Sequence, residues 1–125
     1  MPDRKLISLS EGEKAYAMSR AVVQGDWCFV SGSVGYDAEG NLPESAAEQA
    51  KNTFVTIKRA LAEAGFSLKD TIRVQYTVTD KAYIKDVLPI IQAELGDVLP
   101  AATMVIAGLV KPEMKIEIEV TAFNG

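Results

Sequence analysis

From Thr71 to Thr79 the chain reads "TIRVQYTVT", and from Lys115 to Phe123 it reads "KIEIEVTAF"; both alternate apolar and polar residues without a break. Successive side chains on a β-strand point to opposite faces. Ile72, Val74, Tyr76 and Val78 therefore share one face of the first segment, and Ile116, Ile118, Val120 and Ala122 share one face of the second. Each strand calls for a single apolar cover. The opposite face carries Arg73, Gln75, Thr77, Glu117 and Glu119, a polar set unlike ordinary core.

Two helical segments can supply the cover. Ser45 and Glu48 have the S-x-x-E spacing of a capping box, and Ala47, Ala50, Phe54, Ile57, Leu61 and Ala64 follow in alternating steps of three and four. Gly65 is placed to end that helix as a C-cap. Its other face, with Lys51, Asn52, Lys58, Arg59 and Glu63, reads as solvated. Asp80 can cap a second helix with core positions Ile84, Val87, Leu88, Ile91 and Leu95; Pro89 inside it predicts a bend or break near Asp86 to Pro89.

Earlier in the chain, Arg20–Val23 and Trp27–Ser31 read as a hairpin turning at "QGD", followed by a loop from Gly35 to Ser45. In the stretch "LPAATMVIAGL", Leu99 to Leu109, Thr103–Ile106 reads as a strand, partly core. The order is β-β-α-β-α-β-β. We expect an α+β domain over residues 1–125, a mixed β-sheet with two helices on one face. The other sheet face remains to be covered, and oligomerisation is one solution.

Composition narrows the chemistry. The 125 residues, 48% hydrophobic, suit one globular domain. No apolar run approaches the roughly 18 residues of a membrane span, and the first twenty residues lack a signal-peptide core, so a soluble cytoplasmic protein without membrane partners is expected. The single cysteine, Cys28, excludes an intrachain disulfide and reads as a buried strand thiol. The net charge of −4, with scattered basic residues, speaks against a nucleic-acid partner. The chain has no histidine, which excludes Ser-His-Asp and Cys-His catalysis and, with one cysteine, the usual zinc sites. Neither metal nor cofactor is expected. Catalysis would rest on carboxylates, hydroxyls, lysine, arginine, backbone amides and water.

"RAVVQGDWCFVSGSVGYDAEG", "AEAGFSLKDTIRVQYTVTD" and the closing "KIEIEVTAF", in that order, resemble the reactive-intermediate deaminase superfamily, the YjgF or RidA-like family. The resemblance implies a chorismate-mutase-like fold assembled as a homotrimer, with small-molecule clefts between subunits. In its enamine/imine deaminases, an arginine grips the substrate carboxylate and a glutamate positions the water that hydrolyses the C=N bond. That glutamate corresponds to Glu117, and the family's Ser-Gly to Ser31 and Gly32, followed here by Ser33. The family's "PYSQAV" becomes "AMSRAV": Met18 takes the place of a site tyrosine, Ser19 matches, and Arg20 replaces glutamine. Leu88 stands where an asparagine is common, and "PARS" becomes Pro100, Ala101, Ala102, Thr103, so Ala102 replaces the carboxylate anchor.

Three functions follow as expectations. The chain is a hydrolase of an imine/enamine-type substrate less anionic than the family's amino-acid-derived imines, with Glu117 catalytic. Alternatively, Arg20 takes over as the anchor, against the simpler reading of an arginine snorkelling from a strand edge. Or the chain is a non-catalytic metabolite-binding or regulatory trimer. An endoribonuclease or translation inhibitor is the least supported.

Overall fold

The computed structural model describes residues 4–125. Its elements are β1 (Arg4–Ile7), α1 (Glu11–Ala15), β2 (Ala21–Gln24), β3 (Trp27–Ser33), α2 (Ala46–Ala64), β4 (Thr71–Val78), α3 (Ile84–Leu95), β5 (Ala101–Ile106) and β6 (Ile116–Phe123). They build one six-stranded sheet in the order β1-β2-β3-β6-β4-β5, antiparallel except for β4 and β5, which run parallel around α3. The expected α+β architecture and mixed sheet are present. Strand β1 and helix α1 precede the expected elements; the four residues of β1 are too few to show a period, although they pair along all of β2.

Helix α2 lays Ala46, Ala50, Phe54, Ile57, Ala60 and Leu61 on the face formed by Cys28, Val30, Val74, Tyr76, Val78, Ile116, Ile118, Val120 and Ala122. The Ser45 half of the capping box forms, with Glu48 N donating to Ser45 Oγ at 3.0 Å, and Gly65 closes the helix at φ +84°. Two polar residues are buried in this layer. Thr53 Oγ1 returns its proton to the Gln49 carbonyl, and Gln49 bridges three backbone groups: the carbonyls of Pro43 and Glu113 and the amide of Lys115. Each backbone group so held would otherwise lose its partner on burial.

Several expectations are corrected. The β4–β6 register shifts between Thr71 and Arg73, inserting one residue, so Thr71 is buried and Ile72 is turned out to 44% exposure. Pro89 does not break α3, which runs unbroken from Ile84 to Leu95. At the sixth position of α3 the proline forfeits the bond to the Lys85 carbonyl and crowds it, yet the helix continues through it, with Val87 and Leu95 packed into the core on either side. Leu88 is exposed rather than core, because Val87 and Leu95 set the buried face of α3 with Ile91 partly buried beside them.

 
That face is defined by Val87 at 0% and Leu95 at 3% exposure, against 42% for Leu88. Strand β5, expected to be partly core, is a sheet edge whose contribution to the core is limited to Met104, the one partly buried residue of Ala101–Ile106. Asn52, on the outer side of α2, is tied down by donating to the Gly35 carbonyl at 3.1 Å.

Among the described residues nothing covers the second sheet face. Trp27, Phe29 and Phe123 are 37–48% exposed on it, and the Trp27 ring lies between the other two, 6.3 Å from Phe29 and 4.7 Å from Phe123. Leu6 continues this apolar strip along the row Leu6–Val22–Phe29.

Candidate functional site

The site residues gather around an irregularity in β3. Val30 pairs with Val120 and Ser33 with Ile118, so β3 spends three steps where β6 spends two. This is a β-bulge, and it turns Ser33 to the buried side of the sheet at 1% exposure. Gly32 lies within it. A β-carbon on Gly32 would stand 2.6 Å from Glu117 Cδ and 2.7 Å from Oε1. The Glu117 carboxyl therefore rests against the Gly32 backbone, in space that only glycine leaves free.

Hydrogen bonds hold the bulge from the β1–β2 side. Ser31 N donates to the Arg20 carbonyl at 2.9 Å, Ser31 Oγ to the Ser19 carbonyl at 2.7 Å, and Ser33 Oγ to the Ser31 carbonyl at 2.9 Å. Arg20 Nη1 donates to the Gly32 carbonyl at 2.8 Å and to Ser33 Oγ at 3.1 Å, while Nε pairs with Glu13 Oε2 at 3.0 Å. Met18 N donates to the Glu13 carbonyl, joining Met18 to the same cluster. Arg20 is only 15% exposed in its side chain, so it does not snorkel from a strand edge; nor is it an unengaged anchor.

Glu13 went unnoticed in the sequence, though Ser10 and Glu13 repeat the S-x-x-E spacing of Ser45 and Glu48. Its Oε1 accepts from Ser8 Oγ and from the Leu9 and Ser10 amides. Burial works against its charge, but Arg20 and these donors outweigh burial and hold the carboxyl below its ordinary value of 4.5. The stabilisation is present above that ordinary value and lost as pH falls through the lowered one. Urea titrations at descending pH should show this acid loss of stability, and Glu13→Gln should flatten it; an unchanged pH dependence in the variant would contradict the assignment.

Glu117 is shifted the other way. Burial comes first and the Glu119 charge second, with Arg20 in partial opposition, and together they raise its carboxyl above the ordinary range. Cys28, by contrast, is pushed up to about 11 by burial and is an inert thiol.

The remaining predicted site residues lie elsewhere in the chain. Ala102 pairs with Val74, on the helix-covered face, whereas Glu117 pairs with Thr77 on the open face; the sheet separates them. Leu88 is exposed on α3, in the helix layer. Thr103 is on the open face, where its Oγ1 accepts long bonds of 3.4 Å from Arg73 Nη1 and Nη2. Arg73, Gln75, Glu119 and Ser31 border a shallow cavity of about 320 Å³ on that face. One chain thus unites Met18, Ser19, Arg20, Ser31, Gly32 and Glu117, and leaves Leu88 and Ala102 apart from them.

Comparison with known proteins agrees with this fold. The model of the family described as endoribonuclease L-PSP matches residues 11–124. The chain belongs to the endoribonuclease L-PSP family. Among curated relatives, an uncharacterised protein of Streptomyces coelicolor is 31% identical over 98% of this chain and 92% of its own length. A RutC family protein of Leuconostoc mesenteroides subsp. cremoris is 29% identical over 97% and 98%. Among solved structures, a member of the YjgF/YER057c/UK114 family from Mycobacterium tuberculosis superposes with a TM-score of 0.89 at 31% identity, covering 98% of this chain and all of that one. RidA from an Antarctic Psychrobacter superposes with a TM-score of 0.83 at 27% identity over 94% of each chain. The resemblance noted in the sequence and the endoribonuclease L-PSP family therefore coincide. Among the described residues no helix is long and apolar enough to cross a membrane, and no cluster of three or more His, Cys, Asp or Glu is placed to hold a metal.

Proposed function

We propose that the protein is a homotrimer with small-molecule clefts between its subunits, in which Glu117 positions water for hydrolysis of an imine- or enamine-type C–N bond. The observation that carries this reading is the half-buried Glu117 carboxyl resting on Gly32. Burial raises its pKa above the usual carboxylate value, the direction that suits a group which must take up and return a proton. Two features support assembly. The uncovered face exposes Leu6, Trp27, Phe29 and Phe123, an apolar strip that a second copy can bury. The two groups of site residues, separated by the sheet in one chain, can share a cleft only if another subunit brings its own edge strand. Such a cleft would present Ala102 and Leu88 to the ligand in place of an arginine and an asparagine. It therefore favours neutral or weakly charged ligands over carboxylates.

A second reading, a metabolite-binding or regulatory trimer without turnover, is favoured by Ala102, since the substitution removes an anchor and adds no reactive group. Both readings use the same cleft and differ at Glu117. Thermal-shift screening of neutral imine and amide compounds beside their carboxylates, followed by ammonia release from any hit, separates them. Glu117→Gln should lower turnover by about 10²–10⁴-fold if the residue is catalytic. In a binding protein it should weaken affinity with no turnover to lose. Unchanged affinity and activity for every hit would remove Glu117 from the site altogether. Light scattering that finds a monomer would refute the assembly. The endoribonuclease activity in the family's description draws no support from an acidic chain without histidine.

A further inference from the structure

The Glu13–Arg20 pair takes no part in the proposed hydrolysis, yet it adjoins the carboxylate that does. Its side chains are 5% and 15% exposed, and burying two ions costs each of them its water. Such pairs are weak sources of stability, which directs attention to what the arginine holds. Its Nη1 binds the carbonyl of Gly32, the residue against which the Glu117 carboxyl lies. The same nitrogen reaches Ser33 Oγ across the bulge. With Nε on Glu13, the guanidinium joins α1 to the backbone beneath Glu117.

We propose that Arg20 and Glu13 are positioning residues for Glu117: Arg20 fixes the Gly32 bulge and supplies the positive charge that Glu117 faces, and Glu13 attenuates that charge. This rests on reading Glu117 as the cleft carboxylate. It replaces the idea of Arg20 as a ligand anchor, because the guanidinium is already committed on two of its nitrogens. The surroundings of Glu117 bear this out. Glu119 on its own strand opposes its ionisation and Arg20 favours it. From β4, Arg73 lies on the same sheet face but is turned to Thr103. From β3, the neighbouring residues on that face are the uncharged Ser31 and Gly32. Lys115 reaches away, to the Glu44 carbonyl and over the Tyr83 ring.

The test is a carboxyl NMR titration of the ligand-free protein labelled with ¹³C-glutamate, the Glu117 signal being assigned by its loss in Glu117→Gln. Arg20→Gln should raise the Glu117 midpoint, Glu13→Gln should lower it, and Arg20→Lys, which keeps the charge, should stay near the unmodified protein. Opposite displacements from the two halves of one ion pair are not what lost packing produces. The proposal is overturned if Arg20→Gln leaves the midpoint in place or lowers it, if both glutamine variants move it the same way, or if Arg20→Lys raises it as far as Arg20→Gln. Should Arg20→Gln not fold, Glu13→Gln decides, and an unchanged or raised midpoint there refutes the proposal. Because no ligand is present, this outcome is independent of the cleft: binding untouched by Glu117→Gln would sink the cleft reading while leaving the titration result intact.

Discussion

Gly35→Ala should destabilise the protein by about 3 kcal/mol, the upper part of the range for overpacking a filled site. A β-carbon at this position would stand 2.3 Å from the Gln49 carbonyl oxygen and 2.5 Å from Gln49 Cα. Both are backbone atoms in the first turns of α2, so relief requires the helix itself to move. That movement would disturb the Gln49 side chain, which ties the loop at Pro43 and the segment at Glu113 and Lys115 to the helix. Against a total stability of about 5–15 kcal/mol, the loss is large, and it corresponds to a fall of roughly 10 °C in Tm. Thermal and urea melts read it directly; a change within about 0.5 kcal/mol, the size of an ordinary surface substitution, would show that the helix can shift freely. Gly32→Ala makes the instructive contrast. There the clash is with the flexible end of Glu117, so the same melts should change little while the carboxyl is displaced.

Ala102→Arg should raise affinity for small carboxylates by about 10- to 150-fold. That is the equivalent of the roughly 1.5–3 kcal/mol carried by charge-assisted hydrogen bonds to an ionised group. Ala102 is exposed on the edge strand, so the longer side chain meets no packed neighbour and the fold should tolerate it. Calorimetry with a carboxylate and its amide, on the unmodified protein, Ala102→Arg and Ala102→Lys, provides the measurement. The gain should be confined to the carboxylate and be smaller for lysine, which lacks the planar fork. Equal gains for acid and amide, or none for either, would show that position 102 does not face the ligand. A gain that disappears in a monomeric variant would in turn locate the anchor position at a subunit boundary.

Much of the fold was readable along the chain because its determinants are local and periodic. The alternation in β6 and the stripe on α2 each report one buried face, and a cap at Ser45 with a left-handed Gly65 bounds the helix. Errors arose where a non-local contact overrode the local pattern. Strict alternation predicted Ile72 inside, but an inserted residue in the β4–β6 pairing turned it out and took Thr71 in. The apolar run of β5 predicted a partly core strand, but its place at the sheet edge leaves only Met104 against the core. At the site, the individual residues Ser31, Gly32 and Glu117 could be named from their motifs, while Glu13, seven positions from its partner Arg20, could not be linked to it by spacing alone.

By itself, then, the sequence determined the α+β class, the two alternating central strands, the long capped helix and the absence of histidine and disulfide chemistry. These follow from side-chain type and period, which a linear chain displays in full. Only the tertiary structure decided that Arg20 is engaged by Glu13 and the Gly32 carbonyl, that the Glu117 carboxyl occupies the space left by a missing β-carbon, and that Ala102 and Glu117 lie on opposite faces of one sheet. Those relations depend on strand register and on a bulge, where one inserted residue changes the side to which a group points, and register is set by pairing between segments far apart in the chain.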